Sequence, residues 1–105
     1  MNEASYQAKL VRILKQRFPG AIVLKNDPSY LQGFPDLLIL YKSTWAALEV
    51  KTDPKAKRRP NQEYYVYLLS KMAFSAFIFP ENEKEVLDAL QRSFDASRKA
   101  CHSKS

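Results

Sequence analysis

Gly33-Phe34-Pro35-Asp36-Leu37-Leu38-Ile39-Leu40 and, beyond the polar break Lys42-Ser43-Thr44, Trp45-Ala46-Ala47-Leu48-Glu49-Val50-Lys51 form the stretch on which the fold turns. Two apolar, β-prone runs at hairpin spacing predict an antiparallel hairpin. Asp36 opens the first strand directly behind a proline. Glu49 and Lys51 leave the second strand two residues apart, so they share a face. Two registers are open. Pairing Leu40 with Trp45 sets Asp36 directly opposite Glu49, whereas pairing Tyr41 with Trp45 offsets them by one residue and needs a bulge or twist to reunite the carboxylates.

Two carboxylates and an ammonium at the open end of a hairpin admit two readings. One is a solvated strand end whose cross-strand ion pair contributes little to stability. The other is a divalent-metal site. Mg²⁺ prefers oxygen ligands in octahedral geometry and takes a couple of carboxylates, leaving waters and substrate phosphate to fill its shell. A neighbouring lysine would hold or polarise the attacking water without competing for the metal.

Composition narrows the field. The 105 residues suffice for one domain, expected over residues 1–95 with a polar, disordered tail at 96–105, and 46% hydrophobic with 27% charged is ordinary for a folded chain. A formal net charge of +6 points to an anionic polymer or surface as partner, nucleic acid ahead of membrane. A membrane role is not expected, since no apolar run approaches the roughly 18 residues that span a bilayer. The N-terminal residues do not resemble a signal peptide, so the expectation is a cytoplasmic protein, in the host-cell interior if the gene is viral, and not a secreted one. Cys101 and His102 are the sole cysteine and histidine. Disulfide frameworks and Cys/His zinc sites within one chain are thereby excluded. Catalysis must rest on carboxylates, lysines and a metal, with no organic cofactor.

Outward from the hairpin, Tyr6, Leu10, Ile13, Leu14 and Phe18 recur at helical spacing, with Asn2 as the predicted N-cap and Pro19-Gly20 as the stop. Glu3 falls in the first turn, where an acid complements the helix dipole. Ala21 to Lys25 predicts a short strand, and Asn26-Asp27-Pro28-Ser29 a turn. After Lys51, two prolines bracket Lys55, Lys57, Arg58 and Arg59 in an extended, mobile, positive loop. Such a run is commonly just solvated, but beside an acidic cluster it can grip a phosphate backbone, as can Lys25. Asn61 is the expected cap of a second helix to about Met72. Ala73 to Phe79 predicts a strand buried on both faces, and Asn82 starts a last helix. The order, αβββαβ plus a C-terminal helix, makes a mixed sheet flanked by helices, with the second helix as the crossover that lets strands three and four run parallel.

Pro35-Asp36, then Glu49-Val50-Lys51, resembles the PD-(D/E)xK nuclease signature. Gly-Phe-Pro-Asp-Leu-Leu before the first acid, Leu-Glu-Val-Lys around the second, Glu3 on helix one and Gln62 opening the next helix narrow the resemblance to the virus-type replication-repair nucleases, VRR-Nuc. It extends from about Glu3 to Phe79 and implies a restriction-endonuclease-like core. By resemblance, Asp36 and Glu49 would be the principal metal ligands, joined by the Val50 carbonyl and Glu3. Lys51 would activate the nucleophilic water and Gln62 would hold the site. The implied cofactor is Mg²⁺, with Mn²⁺ as the alternative. One departure is the absence of a glycine before the last strand, at Met72-Ala73-Phe74.

The resemblance implies a Mg²⁺-dependent endodeoxyribonuclease that acts on branched DNA such as Holliday junctions in repair or recombination, as a homodimer, and it suits a phage gene. The alternatives are a flap or fork nuclease, or a non-catalytic nucleic-acid-binding module on the same fold.

Overall fold

The computed structural model describes residues 1–103, with side chains described as far as Ser97. The elements are α1 (Glu3–Arg17), β1 (Ile22–Lys25), β2 (Leu37–Tyr41), β3 (Thr44–Val50), α2 (Pro60–Ser70), β4 (Phe74–Ile78), a 3₁₀ turn at Pro80–Asn82 and α3 (Glu83–Ser103). The four strands lie in the order β1-β2-β3-β4, antiparallel through the first three and parallel between β3 and β4. The fold is therefore α/β with a mixed sheet and three flanking helices, as the sequence predicts. Among the described residues, no helix is long and apolar enough to cross a membrane.

The hairpin takes the first of the two registers. Leu40 pairs with Trp45 and Tyr41 with Thr44, so only Lys42 and Ser43 form the loop. Lys42 has φ 54°, the left-handed value that primed hairpin turns need to match strand twist. Counting back from Leu37 opposite Leu48 puts Asp36 opposite Glu49 with no bulge.

Strand alternation divides the sheet into two faces. Leu37, Ile39, Ala46, Leu48 and Val50 join Tyr6, Leu10 and Leu14 of α1, its C-cap Phe18, and Leu87, Leu90 and Phe94 of α3 in one buried core. Phe18 anchors it, with its ring 5.0 Å from Phe94 edge-on and 5.5 Å from Tyr41. Arg17 ties the two helices together outside the core through a 2.8 Å ion pair with Asp88. The opposite face carries Leu38, Leu40, Trp45, Ala47, Asp36, Glu49 and Lys51. There α2 lies over β3 and β4 and leaves the β1-β2 half open, with Ile22 56% and Leu24 44% exposed.

Two local expectations are corrected. Arg59, not Asn61, is the N-cap of α2, and Pro60 takes the first helical position, where its fixed φ and missing N–H cost nothing. β4 is partly exposed along Phe74 to Phe77, because it forms an edge of the sheet and lacks a neighbour on one side. α3 runs on to Ser103. Ala, Arg and Lys there are good helix formers. Residues 104–105 lie outside the described residues. The missing glycine before β4 has no consequence: Lys71 ends α2 in the right-handed region, and the Met72 and Ala73 N–H groups both donate to Leu69 O, so no left-handed residue is needed.

Candidate active site

The site forms where β2 begins, β3 ends and α2 starts. Asp36 is held in place through its backbone and its side chain. Its carbonyl accepts from the Asn26 N–H at 2.8 Å, and Asn26 Nδ2 donates to the Pro35 carbonyl at 2.7 Å. Its carboxylate Oδ2 accepts from the Val50 N–H at 2.8 Å. In an extended strand the N–H and C=O of one residue point to the same side, so the Val50 carbonyl also faces the Asp36 side of β3.

One amide organises the rest. Gln62 Nε2 donates to Glu49 Oε2 at 3.0 Å, while Gln62 Oε1 accepts from Lys51 Nζ and from the Arg59 N–H, each at 3.0 Å. These partners determine which end of the amide is oxygen and connect α2 to the strand end. Lys51 Nζ also donates to the Lys57 carbonyl at 3.0 Å and lies 3.9 Å from Glu49 Oε2. The 51–59 segment, expected to be mobile, is thus tied down at Lys57 and Arg59. Of the three ammonium protons of Lys51, two are engaged among the described residues, which leaves one for a water or a phosphate oxygen.

The electrostatics are those of crowded acids. Glu49 is 3% exposed, and its pKa is pushed up to about 8, first by burial and then by Asp36, against the pull of Lys51. Burial also raises Asp36, opposed by the Val50 N–H, Glu49 and Lys51. Glu3 rises as well, through burial and then the Asp36 charge. Glu49 Oε1 is buried with no donor among the described residues. Without a cation its available relief is a proton shared with Asp36, and Glu49 is the partner that keeps it because the Val50 N–H favours ionised Asp36.

A cavity of about 430 Å³ opens onto these groups and is walled by Glu3, Gly33, Lys57, Arg59 and Asn61 among others. Gly33 has φ 89°, and a Cβ there would stand 2.5 Å from Asn61 Cγ. Asn61 Nδ2 reaches the Gln32 carbonyl at 3.2 Å, so the loop and α2 are closed against each other at the rim. Gly33→Ala is expected to lower stability by roughly 1–3 kcal/mol and to open this contact. Thermal unfolding of the variant against wild type measures it, and an unchanged midpoint would show that the loop adapts freely.

The structure brings Asp36, Glu49, Lys51 and Gln62 together, with Glu3 on the same cavity. No group of three His, Cys, Asp or Glu side chains forms a ready metal cage among the described residues. The donor set still fits a hard divalent cation. A buried Glu49 with one oxygen lacking a donor among the described residues and a half-buried Asp36 supply the anionic pair, and Mg²⁺ retains waters in place of further ligands. The basic residues separate. Lys57 and Arg59 line the cavity and Lys25 a neighbouring one. Lys55 is exposed. Arg58 instead stacks its guanidinium on Phe77, 4.1 Å from the ring centre, because edge strand β4 leaves that ring accessible. Sequence reasoning missed Asn26 and Asn61. Both occupy turn or cap positions by type, and their long-range partners are invisible without the fold.

No protein-family model matches the chain, and neither does any curated protein. Two solved structures share its architecture. One, named VRR_NUC domain protein, is 16% identical with a TM-score of 0.63, over 90% of this chain and 89% of that one. The other, named VRR_NUC domain, is 25% identical with a TM-score of 0.58, over 80% of this chain and 92% of that one.

Proposed function

From the VRR_NUC fold, and the support it lends to membership of the VRR-Nuc family, we propose that this chain is a metal-dependent endonuclease of branched DNA. The observation that carries the reading is the Asp36-Glu49 pair, Glu49 buried and Asp36 half-buried, with Gln62 holding Glu49 beside Lys51 under a basic rim. Asp36, Glu49, the Val50 carbonyl and, through water, Glu3 would hold Mg²⁺ or Mn²⁺. A cation there supplies charge relief at the attacking and leaving oxygens and lowers the pKa of bound water.

The chain's own residues do the rest. Lys57 and Arg59 draw the phosphate backbone over the cavity. Lys51 has one N–H to orient the attacking water. Gln62 keeps Lys51 and Glu49 in fixed relation, so that neither collapses into a plain ion pair. Water adds to phosphorus, one P–O bond to the sugar breaks, and the leaving oxygen takes up a proton. Fixed positive charge over the phosphate stabilises the charge that develops.

Cutting both strands of a junction requires two such sites, and we place the protein as a homodimer. The uncovered apolar side chains Ile22, Leu24 and Leu40 on the β1-β2 face favour burial by a second copy. A gel-filtration mass of one chain at micromolar concentration would exclude this arrangement.

The deciding experiment is cleavage of a four-way junction, a fork, a flap and plain duplex in Mg²⁺, Mn²⁺ or EDTA, with Lys51→Ala beside wild type. Metal-dependent cutting of the junction, lost in Lys51→Ala, supports the proposal. Preferred cutting of flap or fork selects the alternative nuclease. Binding without cutting under every condition means a non-catalytic module.

DNA affinity separates the two arginines. Arg59→Ala should weaken binding across sequences by several-fold at low salt and flatten the salt dependence by about one phosphate contact, whereas Arg58→Ala should leave the slope unchanged. Equal effects would mean that the Phe77 stack does not withhold Arg58 from DNA.

A further inference from the structure

A second cavity of about 410 Å³ adjoins the first, lined by Lys25, Asn26, Asp27, Tyr30, Leu31 and Phe34. Its surface is mainly apolar, yet it opens beside the most polar part of the molecule. The loop that forms it is shared: Asn26 secures Asp36 and Pro35, and Pro28, Gln32 and Gly33 face the catalytic cavity. Tyr30 is 90% exposed and makes no ring contact among the described residues. Its backbone is nonetheless ordered, since the Tyr30 N–H donates to Asp27 O and the Phe34 N–H to Leu31 O. The Phe34 ring is fixed edge-on against Tyr65, with 5.6 Å between centroids. The carboxylate of Asp27 is engaged by the Ser29 N–H and hydroxyl at 2.9 and 2.7 Å, which leaves Lys25 as the unengaged charge at the rim.

We infer that this cavity receives an unpaired nucleobase of the strand being cut, stacked on Tyr30 with Leu31 and Phe34 as floor and with Lys25 at its phosphate. The choice of ligand rests on the nuclease reading. Three features favour a base over other occupants. A flat apolar cleft with an exposed phenol ring suits a π-face of any sequence. A lysine at the rim suits the attached phosphate. The loop that lines this cavity also lines the one holding Asp36 and Glu49. A base can enter only when it is free of its partner, so the cavity selects DNA with unpaired nucleotides beside the cut, as at a branch point or flap base.

The test measures binding in EDTA, so that cleavage plays no part. Fluorescence anisotropy would follow a labelled single strand and the corresponding duplex with wild type, Tyr30→Ala and Leu31→Glu. Both variants should weaken the single strand about tenfold and leave the duplex unchanged. A single abasic site moved along the strand should cost wild type a similar factor at one position and cost Tyr30→Ala nothing further there. Equal losses on single strand and duplex, or a flat abasic scan in wild type, would overturn the inference. So would a change in oligomeric mass of Tyr30→Ala without a change in DNA affinity, which would assign the patch to protein contact. Selective single-strand binding by a protein that cuts nothing in any metal would remove the nuclease reading and leave the base site standing.

Discussion

Asp36→Ala and Glu49→Ala should each reduce metal-dependent cleavage by about 10³-fold or more, while DNA affinity in EDTA holds or rises slightly. The reason lies in what the carboxylates do without a cation. Glu49 is buried and Asp36 half-buried beside it, burial disfavours the charged form of both, and Glu49 Oε1 has no donor among the described residues, so removing either relieves an unfavourable arrangement. On the proposed reading, phosphate contacts come from Lys57 and Arg59, which line the same cavity, and do not depend on the acids. The metal-free variants should therefore melt no lower than wild type, apart from the packing lost where Glu49 is buried. Lys51→Ala should cost cleavage about 10²–10⁴-fold and also release the 51–59 segment at the Lys57 carbonyl. Loss of cooperative melting along with cleavage in Asp36→Ala would show that the carboxylates are needed for folding.

Metal-free protein should lose stability as pH rises from about 5 to 8. Glu49 titrates at about 8 in the folded chain against an ordinary value of 4.5. Within that window the folded state keeps a proton that the unfolded chain has released. The stability this proton supplies is complete below the unfolded value and gone above the folded one. The slope approaches about 1.4 kcal/mol per pH unit in mid-window, or roughly 6 °C in melting temperature for a chain of this size. Millimolar Mg²⁺ or Mn²⁺ should oppose the fall, and more strongly at higher pH, because the cation competes with the proton for the same oxygens. Glu49→Gln, which cannot ionise, should flatten the profile in EDTA. An equal slope in that variant would assign the pH dependence to other groups.

Much of this architecture could be read from local pattern. The helical recurrence of Tyr6, Leu10, Ile13, Leu14 and Phe18 specified a one-sided helix, and all of these but the half-buried Ile13 are fully buried. Hairpin spacing and the position of the acids brought Asp36 and Glu49 together, because in antiparallel strands a choice of register is also a choice of side-chain partner. Gln62 could be named from the resemblance alone, although its three simultaneous partners could not.

Other features had no local signal. Arg58 and Arg59 are adjacent and alike in sequence, yet one stacks on Phe77 and the other faces the cavity, because Arg59 is in extended backbone, φ −80° and ψ 151°, where successive side chains point to opposite sides. Asn26 and Asn61 could satisfy any nearby backbone group, and their reach to Pro35 and Gln32 depends on segments 9 and 29 residues away.

Sequence by itself determined the elements, the hairpin's two registers and the chemical character of the site, since periodicity and residue type act over a few residues. Only the tertiary structure decided which register holds, which bases of the 55–59 run meet the cavity, and that Glu49 keeps an oxygen without a donor among the described residues. Those outcomes depend on burial and on contacts between distant segments, and no short stretch contains both partners of such a contact.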